Sequence, residues 1–172
     1  MTEKVAQYTL TPKAEKLRKR FLSPFTMSLF LLAKLPLAFM AKLRIAKLDE
    51  NTCSVSIPYG WRTQNPFNSI YFAAQAMAAE LSTGTPALLA IENSGAKVSM
   101  LVVDMKAEFV KKGTALTTFV CDDVQGFLEA VDKAVKTGEG VTFTAKSKGT
   151  MADGTVVSNF SFTWSFKAKT KK

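Results

Sequence analysis

Glu80 has the clearest claim to chemistry in this sequence, because it is the only charged residue between Arg62 and Glu92. It ends an alanine-rich run, Phe72-Ala-Ala-Gln-Ala-Met-Ala-Ala-Glu80, that reads as an apolar helix. A carboxylate there is poorly solvated, so it is either costly or useful. Asn65 and Asn68 stand just upstream, where either can cap the first turn of that helix. The chain has no histidine, which removes Ser-His and Cys-His nucleophilic mechanisms and the usual zinc sites. Its two cysteines, Cys53 and Cys121, have no metal spacing and make no disulfide framework. Both read as small buried hydrophobes in a reducing compartment, and no metal site is expected. Hydrolytic chemistry would have to come from carboxylate, amide, hydroxyl or backbone groups.

The elements that must hold these residues follow from local signals. A central helix is expected over residues 66–83, with Asn65 or Asn68 as cap, Pro66 in the first turn and Gly84 just past the end. Its alanines lie almost all round, so it should be buried on most sides. Before it, Cys53, Val55 and Ile57 alternate with polar residues and follow a similar run over 43–48, which makes a hairpin. After it come a short apolar strand over 87–91 and a loop over 92–95. A long strand over 98–110 then places Leu101, Val103, Met105, Ala107 and Phe109 on one face. Helical spacing over 122–140 interrupts further strands at 114–121 and 141–150. The last strand is the plainest: Phe160, Phe162, Trp164 and Phe166 alternate with polar residues. Antiparallel strands around one long helix make this an α+β chain.

At 172 residues the length fits one domain with an appendage. A helical segment over 1–41 is expected before a main domain over 42–172. The net charge is +9, but residues 3–20 and the four lysines from Lys167 onward carry most of it. The body is then near neutral, which argues against a nucleic-acid groove, while a basic fringe could meet anionic lipid or ligand phosphates. Residues 21–33 are apolar and uncharged, yet too short for a bilayer, which needs roughly 20 apolar residues. No small-x-small cleavage site follows, which speaks against a cleaved signal. Residues 21–41 therefore read as a helix pair packed on the domain, or as an interfacial helix. Packing is favoured, because a membrane-surface helix should show a cleaner polar face.

The order of elements resembles the hotdog fold, in which a sheet wraps a central helix and two subunits pair. Hotdog thioesterases of the phenylacetate-pathway type carry an Asn, then His-Gly-Gly beginning six residues later, then an acid fifteen residues after the Asn. Asn65 lies six residues before Tyr71-Phe72-Ala73 and fifteen before Glu80, so both end points match. The middle departs: Tyr71 stands in place of His, Phe72-Ala73 in place of Gly-Gly, and Asn68 in place of a frequent Gly. Lys106-Ala107-Glu108-Phe109-Val110-Lys111-Lys112-Gly113 looks like the family's strand and basic turn. In character the chain is most similar to the hotdog-like group called domain of unknown function 4442, over residues 42–167.

That resemblance implies an acyl-coenzyme A thioesterase whose substrate lies between subunits of a homodimer or dimer of dimers. Asn65 would orient or polarise, and Glu80 would act as base or nucleophile. Tyr71, Phe72 and Asn68 would line the substrate, and Lys111 and Lys112 would meet coenzyme A phosphates. No cofactor is implied beyond the coenzyme A of the substrate. The alternative is a non-catalytic binder of acyl chains or lipid, associated with a membrane through residues 21–41. The expected location is cytoplasmic, with the inner membrane surface as a place of peripheral contact.

Overall fold

The structure, a computed structural model, describes residues 9–169. Charged residues Glu3, Lys4, Lys171 and Lys172 of the two basic ends lie outside that range.

Three helices lead, each opening on a proline whose missing N–H costs nothing in a first turn. These are α1 (Pro12–Leu22), α2 (Pro24–Lys34) and α3 (Pro36–Met40). Thr11 caps α1 by accepting from the Ala14 N–H at 3.3 Å, and its own N–H donates to Asn93 Oδ1 at 2.7 Å. Arg18 grips Glu15 with two bonds of 2.8 Å and donates to the Leu48 carbonyl at 3.0 Å. Phe21, Met27 and Leu31 are buried in one core with Leu43, Ile45 and Leu48, so the helices pack against the sheet. Among the described residues, no helix is long and apolar enough to cross a membrane.

The hairpin of β1 (Arg44–Leu48) and β2 (Cys53–Ile57) forms as expected. The central helix α4 (Phe72–Ser94) follows, then β3 (Val98–Phe109), β4 (Thr117–Cys121), α5 (Val124–Thr137), β5 (Val141–Met151) and β6 (Val156–Ala168). The strands make one antiparallel sheet in the order β1-β2-β4-β5-β6-β3, curved around α4. This is the α+β hotdog arrangement. Phe160, Phe162, Trp164 and Phe166 of β6 all point to the buried side, as their alternation requires.

The central helix departs from residues 66–83 at both ends. It starts later because residues 65–69 close a turn of their own. Asn65 Oδ1 accepts from the Phe67 N–H at 2.9 Å and from Ser69 N–H and Oγ at 3.3 and 3.2 Å. Asn68 takes a left-handed backbone with φ 58. Neither Asn caps the helix, and Pro66 belongs to the turn; Tyr71 is the N-cap, with no side-chain bond. The helix also runs through Gly84 and Pro86 to Ser94 and ends on left-handed Gly95. Residues 87–91 are therefore helix and not strand, and residues 92–94 are its last turn. Glycine costs a helix interior about 1 kcal/mol and proline about 3. Burial of Leu81, Ala87, Leu89 and Ala90 outweighs this. Gly84 has a packing reason as well: a Cβ there would meet the Trp164 ring at 3.2 Å.

The face expected for residues 98–110 is also corrected. The register of β3 against β6 shifts between Val102 and Asp104. The bulge flips the alternation, leaving Leu101 opposite Ser165 while Met105 and Ala107 stand opposite buried Phe162 and Phe160. Leu101 thus points to the other side of the sheet.

Removing residues 1–41 would uncover Leu43, Ile45 and the part of α4 beneath α1. The truncated chain is expected to lose solubility, read as its soluble fraction on expression and its elution in gel filtration. A soluble truncation with the full chain's melting temperature would contradict the packing described.

Candidate active site

The N-terminus of α4 opens into a cleft of about 530 Å³. Its walls include Asn65, Ser69, Tyr71, Phe72, Gln75, Phe109, Lys111 and Lys112. Five of the seven residues expected at a site thus share one concavity. Asn68 does not line it; its left-handed backbone serves the turn. Glu80 lies elsewhere, eight residues along α4 from Phe72, roughly 12 Å at helical rise.

The segment before the helix is held from several directions. The Ile70 N–H donates to the Gly113 carbonyl at 2.8 Å, and the Tyr71 N–H to the Thr63 carbonyl at 2.7 Å. Lys112 Nζ donates to the Phe67 carbonyl at 3.1 Å, tying the β3–β4 turn to the turn around Asn65. Asn65 spends its carboxamide oxygen on that turn, while its Nδ2 has no partner among the described residues. With no side-chain cap on α4, the first N–H groups of the helix, which begins at Phe72 on the cleft wall, have no side-chain partner. Free N–H donors and the positive end of the helix dipole favour an anion or a developing oxyanion.

Gln75 is a site residue that motif reading missed. It is buried, its Nε2 donates to the Ile70 carbonyl at 3.0 Å, and its Oε1 accepts from Ser158 Oγ at 2.7 Å. Its signal was visible as the one amide among alanines, one turn into the helix. Aromatic contacts continue inward from the cleft. Tyr71 meets Phe72 at 4.8 Å between ring centroids, Phe72 meets Phe109 at 6.3 Å, and Phe109 meets Phe160 at 5.7 Å. Tyr71, Phe72 and Phe109 are nonetheless about half exposed, so an apolar ligand would find a ready wall.

Glu80 is half-buried beside Gly84, with Oε1 3.2 Å from where a Cβ on that glycine would stand. Its backbone carbonyl accepts from Thr83 Oγ1 at 3.0 Å, but its carboxylate has no hydrogen bond or ion pair among the described residues. Burial alone pushes its carboxyl above the ordinary value of 4.5. It shares a helix face with Ala73, Ala76 and Met77, the stripe of α4 that the sheet leaves partly open. The thiols, by contrast, are inert. Cys53 and Cys121 face each other across β2 and β4, free and buried, and burial raises both, Cys121 to about 12. Among the described residues, no cluster of acids and cysteines could hold a metal.

Residues 25–166 match the family described as Domain of unknown function (DUF4442). The chain belongs to that family. No curated protein matches it. Solved structures do. A Pseudomonas aeruginosa protein of unknown function, described as a probable thioesterase, superposes with a TM-score of 0.70 at 17% identity, over 86% of this chain and 97% of that one. A mutant thioesterase from the same organism gives 0.64 at 15% identity, over 95% and 100%. A Haemophilus influenzae thioesterase gives 0.57 at 12%, over 96% of each chain. Identities this low show the fold alone: this DUF4442 member has the α+β hotdog fold of these proteins.

The raised Glu80 carboxyl has a consequence for stability. Its proton is held more tightly in the folded chain than in the unfolded one, so stability is lost as pH rises from about 4.5 through the raised value. Glu80→Gln should therefore melt higher than the wild type at neutral pH, with the difference shrinking in acid. Equal melting temperatures across that range would mean that Glu80 is solvated or paired when ionised.

Proposed function

We propose that the protein hydrolyses acyl thioesters, with acyl-coenzyme A as the substrate class, in a cytoplasmic setting. The observation that carries this is the cleft at the uncapped start of α4, where Asn65 Nδ2 and the helix N–H groups lie unclaimed beside an aromatic wall. The thioester carbonyl sits at the helix start, so its oxygen gains hydrogen bonds as negative charge develops. Tyr71, Phe72 and Phe109 hold the acyl chain, and Lys111 and Lys112 at the cleft rim meet the phosphates of coenzyme A. Coenzyme A enters as part of the substrate, and no other cofactor is needed.

Glu80 is too far along the helix to serve the cleft of its own chain. It acts instead on the cleft of a second subunit in a homodimer or dimer of dimers. Two features support pairing. The edge strand β3 is twelve residues long and carries exposed Leu101, Val103, Met105 and Phe109. Such an edge is a template for another strand. The open stripe of α4 that holds Glu80 would be covered at the same time. In the hydrolytic step Glu80 of the partner subunit takes a proton from water. The oxygen of that water bonds to the carbonyl carbon, the C–S bond breaks, and the thiolate leaves and recovers the proton. A carboxyl raised by burial is a better base near neutrality than an exposed one.

A second reading, a non-catalytic binder of acyl chains, is favoured by one observation. Phe72 and Ala73 carry side chains at the helix start, where hydrolases of the similar motif have glycines and a closer backbone approach. Thiol release from a panel of acyl-coenzyme A substrates separates the two. Acyl chains co-purifying with a protein that releases no thiol would favour the binder.

Glu80→Gln should lower kcat by roughly 10²–10⁴-fold with little change in KM, the usual size of a general acid–base contribution. Asn65→Asp keeps the oxygen that closes the 65–69 turn and replaces the free amide donor. It should melt like the wild type yet turn over slowly, and full activity would assign Asn65 to the turn alone. Light scattering should give a dimer or tetramer. Met105→Lys on the edge strand should dissociate it and abolish turnover together. A fully active monomer would remove the inter-subunit site.

A further inference from the structure

The helix α2 is apolar on two opposite faces. Met27 and Leu31 point into the core, while Phe25, Leu29 and Leu32 lie on the other side, one helical face by spacing. Phe25 is 74% exposed, and Leu37 of α3, at 69%, and Met40 extend the apolar surface. A surface helix ordinarily turns polar residues outward, so this face is built for something other than water.

Its charge says what. From Glu15 to Asp49 the chain carries eight lysines and arginines and not one acid between them. Arg18, Lys19 and Lys47 are paired with Glu15 or Asp49. Arg20, Lys34, Lys42 and Arg44 have no ion pair among the described residues, and neither has Arg62. Lys42, Arg44 and Arg62 converge on one cleft of about 340 Å³, together with Phe39 and Met40. Among the described residues, no carboxylate lines that cleft. An adjoining cleft of about 350 Å³ shares Lys42 and Arg62 and adds Trp61, which is 83% exposed. Lys42 also holds a left-handed backbone, φ 59, which glycine or asparagine would adopt at lower cost. A strained lysine among unpaired cations, beside exposed apolar side chains and a tryptophan, is the composition that anionic lipid headgroups and the acyl region beneath them recognise.

We infer that α2, α3 and the Trp61–Arg62 turn form a docking face for an anionic phospholipid surface, with Lys42, Arg44 and Arg62 taking the headgroup phosphates. Phe25, Leu29, Leu32 and Leu37 enter the interface below them. Helices of eleven and five residues cannot span a bilayer, so the contact is peripheral. The inference stands on this face alone and does not depend on catalysis in the α4 cleft, which a different set of residues lines.

The test is sedimentation of the full chain with vesicles of phosphatidylcholine, or of phosphatidylcholine mixed with phosphatidylglycerol. Binding is expected to the mixed vesicles only, and to weaken with salt. Each cation near an anionic surface is worth about a fivefold change in partitioning, so Lys42→Gln with Arg62→Gln should weaken binding roughly 30-fold. Both side chains are exposed, and the melting temperature should not move. Phe25→Ser with Leu29→Ser should also release the protein from the vesicles, with its oligomeric state unchanged by light scattering. The inference is overturned if mixed vesicles are not bound, or if pure phosphatidylcholine is bound equally. It is overturned too if inorganic phosphate binds while vesicles do not. If the serine variant keeps its vesicle binding but changes oligomeric state, the face is a contact between copies of the chain.

Discussion

Everything in this molecule depends on covering α4. A helix that is apolar nearly all round cannot stand in water, and the curved sheet encloses most of it. Three side-chain hydrogen bonds then fix how it sits. Ser158 donates to Gln75, the hydroxyls of Ser82 and Ser147 lie 2.7 Å apart, and Trp164 Nε1 donates to Thr83 Oγ1 at 3.1 Å. All three are buried, where an unpaired polar group costs about 1–3 kcal/mol. A slide or rotation of the helix would break them together. They therefore set which side of it remains open and how deep Glu80 lies.

What the sheet does not cover is as informative as what it does. The open stripe of α4 through Ala73, Ala76, Met77 and Glu80 is small-sided apart from its methionine and its carboxylate. The edge strand β3 presents apolar side chains on both of its sides, because the bulge at Val103 sends Leu101 one way and Met105 the other. A monomer with these surfaces leaves unpaired backbone donors and acceptors along a long edge. The cleft at the helix start and the carboxylate two turns away lie apart in one chain, and the pairing of subunits proposed above would bring them together.

The N-terminal helices repeat the theme at smaller scale. Hydrophobic side chains on one face of α2 lock it to β1, so the segment is part of the core. Those on the other face leave the same helix unfinished in water. The polar face that a membrane-surface helix usually shows is missing because both faces have apolar work, one inward and one outward. The cations are displaced to the flanking elements, at Lys42, Arg44 and Arg62.

Much of this was legible in the residues. The alternation of Phe160, Phe162, Trp164 and Phe166 determined a half-buried strand, since period two admits no other regular element. The alanine run determined a buried helix, and its lone carboxylate marked Glu80. The spacing from Asn65 through Tyr71 to Glu80 was enough for the family resemblance. Tertiary structure alone decided the helix ends, because Gly84 and Pro86 are local stop signals that packing against Trp164 and the core overrides. It alone decided the role of Asn65, whose side chain closes a turn instead of capping a helix. It alone placed the bulge at Val103, since register belongs to the pair of strands and not to either one. Local sequence carries propensity and periodicity, whereas these features depend on which distant groups are brought within hydrogen-bonding or van der Waals reach.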